Sequence, residues 1–258
     1  MIRFIVVLTC CLLVAACSPM RTVKVQPLGS AVDNVALQAG DLRIAGSALA
    51  SGDLDVALSL YQRITATHPQ VVDGWMGLAT ARYLSGDISQ ARQAYQAAID
   101  IDPLQLDAHL GLARMDIRQR RLPEAIARYQ AMRKQWPDDP LVLAGLGVAH
   151  DLSGNHPQAQ ATYREGLAMH PDDPALRSNL GLSLSLSGKA REAVNVLLDV
   201  MGVPASIPQG RQNLALAYGL MGRADAAESI LLGDLPQETV QDNLKFYQEV
   251  RRRMDTKD

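Results

Sequence analysis

Apolar and small residues recur along this chain with a period of 34 residues, from residue 38 to residue 241. Six blocks of this length follow one another without insertion or deletion: 38–71, 72–105, 106–139, 140–173, 174–207 and 208–241. Position 20 of every block is alanine, position 7 is leucine or isoleucine, position 8 is alanine or glycine, and position 24 is tyrosine or leucine. This spacing predicts two antiparallel helices in each block, because small residues at positions 8 and 20 let the two backbones approach closely.

The residues between the predicted helices are of types that end one helix and begin the next. Position 15 is glycine in five blocks, which suits the left-handed residue that closes a helix, and it is Arg120 in the third block. Position 16 offers side chains that can cap the following helix, namely Asp53, Asp87 and Asn155. Position 32 is proline in the first four blocks and Ala205 or Thr239 in the last two, which we interpret as variation at the end of the array.

A period of 34 residues with these residue types resembles the tetratricopeptide repeat. The resemblance implies an all-α fold, a right-handed superhelical solenoid of about six helix pairs whose first helices line a concave face. Residues 242–258 follow the last block, and Leu244, Tyr247 and Met254 mark one helical stripe there. We predict a C-terminal capping helix that covers the sixth block, with a helix that docks on a partner as the alternative.

Residues 1–16 are predicted to be a lipoprotein signal peptide. The charge of Arg3 precedes an apolar run that is too short to cross a bilayer as a helix and has the length of a signal-peptide core. The run ends in Val14-Ala15-Ala16-Cys17, which resembles the bacterial lipobox. That resemblance implies cleavage before Cys17 and attachment of acyl chains such as palmitate to it, with an ordinary secretory signal as the alternative.

The residues that follow predict where the protein lies. By the sorting rule of bacterial lipoproteins, Ser18 after the lipidated Cys17 implies the outer membrane, so we expect a protein anchored by lipid at the periplasmic face of that membrane. Residues 17–37 include Pro19 and Pro27 and are predicted to be a tether between the lipid and the helical array.

Composition and spacing argue against several classes of function. The net charge of −2 and the aromatic content of 4% give no support to nucleic-acid binding. The run Arg251-Arg252-Arg253 is interpreted as a solvated helix end. Glycines within Gly181–Lys189 have the wrong spacing for a phosphate loop, and His68 and His170 share one turn position before proline. We therefore predict that the protein is not an enzyme and that it binds no metal, cofactor or small-molecule substrate.

The expected ligand is a protein held in the concave groove. In the repeat family, positions 2, 5, 6, 9, 12 and 13 of the first helix face this groove. Eight residues at these positions are predicted to bind the partner: Met76, Tyr83, Leu110, Arg114, Ser178, Asn179, Gln212 and Asn213. Asn179 and Asn213 share position 6, where an amide can hold a peptide backbone, and the alternative that they only brace the neighbouring block stays open. The basic clamp for chaperone C-termini is missing, so a segment of another envelope protein is expected.

Two stretches near the C-terminus carry a narrower resemblance. They are Arg211-Gln212-Asn213-Leu214-Ala215, within 211–220, and Asp234-Leu235-Pro236. Together with the lipobox, tether and repeats, they resemble the TadD family of tight-adherence (Flp) pilus assembly lipoproteins. The resemblance implies a pilotin-like factor in pilus assembly and secretion, whose groove holds a pilus secretin or another assembly component. The alternatives are a type IV pilus secretin pilotin and a general envelope scaffold for cell-wall or cytochrome assembly.

Overall fold

The computed structural model describes residues 30–198 and 208–256, and its elements are all α-helices. The helices in these ranges are numbered in chain order: α1 Ser30–Ser51, α2 Leu54–Thr67, α3 Val72–Leu84, α4 Ile88–Ile101, α5 Leu106–Arg118, α6 Leu122–Gln135, α7 Pro140–Leu152, α8 His156–Met169, α9 Pro174–Leu186, α10 Ala190–Leu198, α11 Pro208–Leu220, α12 Ala224–Leu231 and α13 Gln237–Asp255.

The chain divides into two compact units, Met1–Gly40 and Asp41–Asp258. Of the first unit, the described part is the beginning of α1. The predicted signal peptide, Cys17 and the tether up to residue 29 lie outside the described residues. Residues 30–37, which the sequence analysis places in the tether, are helical, because the chain has neither proline nor glycine between Ser30 and Gly40 to interrupt a helix.

The helix boundaries in the second unit follow the 34-residue register. The first helices begin at block position 1 from α3 to α11, and the second helices begin at position 17 from α2 to α12. From α2 onward each helix contacts the next one, and the first helices α5, α7, α9 and α11 also contact one another in order. The predicted superhelical stack of helix pairs is therefore confirmed for the described residues.

The turns within the blocks have the predicted chemistry. Asp53, Asp87 and Asn155 each accept the backbone N–H three residues on, at 3.2, 3.2 and 3.3 Å. The five glycines at position 15 have φ between 79° and 86°. Arg120 adopts the same left-handed conformation with φ of 59°, although a side chain is disfavoured there and costs about 1–3 kcal/mol. The third block thus keeps the turn geometry while it places a cation at the tip.

The core follows the repeat pattern with one exception. The alanines at position 20 are fully buried and the large side chains at position 24 are buried too. Position 7 is buried or half-buried from the second block onward, but Ile44 is 53% exposed. Ile44 therefore does not share the burial of the leucines at this position, since no described helix precedes α1 and could pack against this side chain.

In each of the first five blocks, the large side chain at position 24 packs closely on one glycine. In the first three blocks the ring at position 24 packs on a glycine at position 6 of the next block, as Tyr61–Gly77, Tyr95–Gly111 and Tyr129–Gly145. In the next two blocks the side chain at position 24 packs on a glycine at position 8 of the same block, as Tyr163–Gly147 and Leu197–Gly181. A Cβ at any of these glycines would overlap the large side chain, so the glycine sets the direction in which that side chain points.

The C-terminal end differs in its boundaries from the prediction. Gly233 and Pro236 interrupt the last pair, so α12 ends at Leu231 and α13 begins at Gln237, before the predicted start at residue 242. Val240, Leu244 and Tyr247 of α13 are buried against α11 and α12, which confirms a capping helix. Among the described helices, none has the length and apolar character needed to cross a bilayer.

Candidate functional site

Two of the predicted partner-binding residues are buried in the repeat array. Leu110 is fully buried and packs with Val142 and Leu146 of the next block, and Ser178 is 2% exposed. The burial of both side chains argues against partner contact, because in these blocks the neighbouring repeat covers position 5 of the first helix.

The two asparagines at position 6 behave differently from each other. Asn213 donates hydrogen bonds from Nδ2 to the Oγ and the carbonyl oxygen of Ser178, at 3.0 and 3.2 Å, and so joins the fifth and sixth blocks. This geometry favours the bracing alternative for Asn213. Asn179 and Gln212 are half-buried, and their side chains make no hydrogen bond to a described residue, so their role in partner binding stays a prediction.

The remaining three predicted residues lie together around α5. Met76 and Tyr83 are half-buried in the apolar cluster between α3 and α5, and Arg114 is exposed. The Arg118 guanidinium lies 4.9 Å from the centroid of the Tyr83 ring, a cation–π contact. Arg114 and Arg118 are one turn apart on α5, and neither pairs with an acidic group of the described residues.

A cavity of about 290 Å³ between α5 and α7 opens beside Arg114. We call it the α5–α7 pocket, and its lining residues are Arg114, Ile117, Tyr129, Leu141, Ala144, Gly145 and Val148. Burial raises the pKa of Tyr129 to about 12, with Arg114 lowering it and Asp116 raising it, so the hydroxyl keeps its proton at neutral pH. The pocket therefore combines apolar walls with a cation and a hydroxyl, a composition suited to a side chain of a protein partner.

Larger cavities of about 440 and 340 Å³ lie beside α6 and α4, and both involve second helices. The cations that line them are engaged within the chain, since Arg128 binds Asp116 at 3.0 Å and Arg82 lies 3.6 Å from Asp87. His109 likewise contacts the Pro103 carbonyl at 3.0 Å and the Trp136 ring at 5.6 Å. Because the α5–α7 pocket has a cation without an acidic partner among the described residues, it is the better candidate for a partner with charged side chains.

A buried carboxylate beneath this region gathers three arginines. Asp116 is 2% exposed and accepts hydrogen bonds from Arg92, Arg121 and Arg128 at 2.8, 2.8 and 3.0 Å. Since these arginines come from α4, the α5–α6 turn and α6, the acid ties the second block to the third. This network was not predicted from the sequence, because its arginines come from two blocks and Arg121 is the one member that lies in the arginine-rich run 118–121.

A second polar network brings serine, histidine and aspartate together without catalytic geometry. Asp151 accepts hydrogen bonds from Ser183 Oγ at 2.6 Å and Tyr163 Oη at 3.0 Å, and its carboxylate lies 2.8 Å from His156 Nδ1. The serine and the histidine both bind the acid rather than each other, and Ser183 is fully buried. This arrangement joins blocks four and five but does not activate a nucleophile.

The two C-terminal stretches singled out in the sequence meet in space. Arg211 donates to both carboxylate oxygens of Asp234, at 2.7 Å from Nε and 2.6 Å from Nη2. The ring of Tyr247 on α13 packs against Gly219 of α11, where a Cβ would overlap it. These contacts hold the turn before α13 against α11. Several residues of the two C-terminal stretches therefore stabilise the capped end of the array.

The Arg211–Asp234 pair makes a pH prediction. Hydrogen bonds from Arg211 hold the pKa of the Asp234 carboxyl below its ordinary value. The pair therefore stabilises the fold fully at pH values above the ordinary pKa of an aspartate. This contribution is lost as the pH falls through the lowered pKa of Asp234. In an NMR titration, we expect the carboxyl of Asp234 to return toward an ordinary pKa in Arg211→Ala and to stay low in Arg223→Ala. An unchanged pKa in Arg211→Ala would disprove the pairing.

Comparisons with known proteins agree with the repeat register. Models of the tetratricopeptide repeat match residues 42–105, 83–147 and 116–182, which together span more than half of the chain. No curated protein matches the chain by sequence.

Solved structures show the same fold at low sequence identity. PilF from Pseudomonas aeruginosa superposes with a TM-score of 0.64 and 15% identity, over 86% of this chain and 97% of PilF. PilW, a type IV pilus biogenesis factor, gives 0.64 and 16%, over 84% and 98%. The Cut9–Hcn1 complex of the APC/C gives 0.68 and 18%, over 84% of this chain and 42% of that one. From the repeat register, the helix pairs and the matches to the family models, we conclude that this chain belongs to the tetratricopeptide repeat family.

Proposed function

We propose that this protein is an outer-membrane lipoprotein that holds another protein on the first-helix face of its repeats during pilus assembly. The observation that carries the proposal is the α5–α7 pocket, in which apolar walls lie beside an arginine without an acidic partner among the described residues. Tetratricopeptide arrays bind proteins, and a pocket of this composition offers such a partner both apolar contact and a charge.

The tight-adherence (Flp) pilus is the proposed setting. Support comes from the two C-terminal stretches that resemble the TadD family, combined with the lipobox that ends at Cys17. A type IV pilus pilotin is the second candidate, favoured by the superposition on nearly the whole length of PilW. Both candidates share one mechanism: the lipid keeps the array at the outer membrane, and the groove holds or positions a secretin or another assembly component.

Anchoring is tested by replacing the lipidated residue. We expect Cys17→Ser to move the protein from the membrane fraction to the soluble fraction, because acyl chains supply the membrane affinity. The circular dichroism of the released protein should stay helical, since the described repeats do not include this residue. Ser18→Ala is the matched control and should remain membrane-bound. A membrane fraction unchanged by Cys17→Ser would contradict the anchor.

The pilus setting is tested by deleting the gene. Loss of surface Flp pili and of secretin multimers, with type IV pili intact, is the expected result, and the wild-type gene should restore both. The opposite selectivity would favour the type IV pilotin. Normal assembly of both pili would refute the pilus role and leave the protein-binding fold in place.

A further inference from the structure

We infer that the groove of blocks two to four selects an extended acidic segment with leucine-like side chains on both sides of the acids. This inference rests on the proposed role in protein binding and defines the chemistry of the partner. Acidic side chains would meet Arg114 and Arg118, and the flanking apolar side chains would meet the α5–α7 pocket on one side and the neighbourhood of Leu84 on the other.

The charge of the site calls for an anion. Arg114 and Arg118 occupy positions 9 and 13 of the third block, one turn apart on the exposed face of α5. Neither has an acidic partner in the described part of the chain, whereas Arg92, Arg121 and Arg128 share Asp116. The Tyr83 ring already orders Arg118, so less side-chain entropy is lost when it binds a carboxylate.

The surroundings of the two arginines are apolar. Position 13 is an exposed leucine in the blocks on either side, Leu84 and Leu152, and again at Leu186. Position 9 is Val148 in the fourth block, and in the second block it is Thr80, whose hydroxyl already donates to the Met76 carbonyl oxygen at 2.9 Å. The acids nearby are already engaged: Asp116 of α5 holds its three arginines, and Asp151 of α7 is bonded to Ser183, Tyr163 and His156. A cationic centre with apolar flanks therefore complements an acidic centre with apolar flanks.

Repeat geometry gives the spacing in the partner. Packed helices lie about 8–10 Å apart, and a peptide in the extended polyproline II conformation advances about 3.1 Å for each residue and presents every third side chain on the same face. Moving from one first helix to the next therefore takes about three residues of the partner. The segment should carry its apolar residues about three positions to either side of the acids.

The test measures binding of a defined peptide to the full-length chain in detergent by fluorescence anisotropy. The labelled peptide, acetylated and amidated, has two adjacent glutamates with two serines and a leucine on each side. We expect the wild type to bind it, and its Kd to rise on the order of tenfold in Arg114→Glu/Arg118→Glu, because charge-assisted hydrogen bonds are lost. Arg191→Glu, an exposed arginine of α10, is the control and should leave Kd unchanged.

Peptide variants separate the parts of the inference. Exchange of the glutamates for glutamine should raise the Kd of the wild type by about the same factor as the double charge reversal does. Exchange of the leucines for serine should have a similar effect. A lysine version should bind the charge-reversed variant better than the wild type. A glutamine peptide with a free C-terminal carboxylate tests whether a chain terminus is the true ligand.

Three outcomes would overturn the inference: no binding of the glutamate peptide by the wild type, equal binding of the glutamine peptide, or binding of the free C-terminus instead. The proposed function is tested separately. It fails if Cys17→Ser leaves the protein in the membrane fraction, or if deletion of the gene leaves pilus assembly normal. If the peptide does not bind while deletion of the gene still abolishes pili, the partner chemistry is wrong and the assembly role stands.

Discussion

Tyr129→Ala is expected to lower the free energy of unfolding by about 3–5 kcal/mol, because it removes a buried ring from the contact between the third and fourth blocks. The ring is 1% exposed and packs with Met132, Val142 and Leu146 in one cluster. It also lies directly on Gly145, whose missing Cβ makes the space for it. Urea unfolding followed by circular dichroism measures the loss.

A double-mutant cycle shows whether the ring and the glycine are coupled. Gly145→Ala alone should destabilise by about 1–3 kcal/mol through overpacking against the ring. In the Tyr129→Ala background the same change should become neutral or stabilise by up to about 1 kcal/mol, since alanine favours helix over glycine. Gly46→Ala is the control, because its Cβ would lie 3.8 Å from the nearest atom, Tyr61 Oη. Additive effects in the cycle would disprove the packing relation.

Asp116→Ala is expected to destabilise by about 2–4 kcal/mol. The change removes the shared acid and leaves three guanidinium groups without their partner, and breaking a buried pair is strongly unfavourable. The loss of stability is smaller than for a fully buried pair, because Arg92, Arg121 and Arg128 are each partly exposed and can turn toward water.

The controls for Asp116 separate charge from shape. Asp116→Asn should lose part of the stability while it keeps the side-chain volume. Asp225→Ala removes an exposed acid that pairs with Arg223 at 3.3 Å, and it should change stability far less than Asp116→Ala, because water screens the exposed pair. Equal unfolding midpoints for Asp116→Ala and Asp225→Ala would show that the buried network does not hold the second and third blocks together.

The sequence was sufficient for the fold because the repeat applies the same local chemistry six times. Two helices in each block, the aspartate and asparagine caps at position 16 and the left-handed glycines at position 15 could be assigned from the sequence. The end of α12 could not be assigned this way, because Gly233 and Pro236 break the pattern where the repeat average predicts a helix. Averages over repeats describe the centre of an array better than its ends.

The site was less predictable because a position in a repeat does not fix its exposure. Position 5 is half-buried at Met76 and fully buried at Leu110, since coverage depends on the side chains of the next block. Glycine at position 6 or position 8 decides where the ring at position 24 points, and that choice depends on two blocks at once. The capture of three arginines by Asp116 likewise depends on contacts between helices, which one block of sequence does not reveal.

In-cell photo-crosslinking from the α5–α7 pocket tests most directly whether this array works by holding a neighbour. A photoreactive amino acid would replace Val148, which lines the pocket, and in a matched strain Ala131, which is exposed on the second helix α6. We predict an adduct with one envelope protein from position 148, none from 131, and loss of the adduct when Cys17→Ser removes the anchor. An adduct from position 131 but not from 148 would contradict the account.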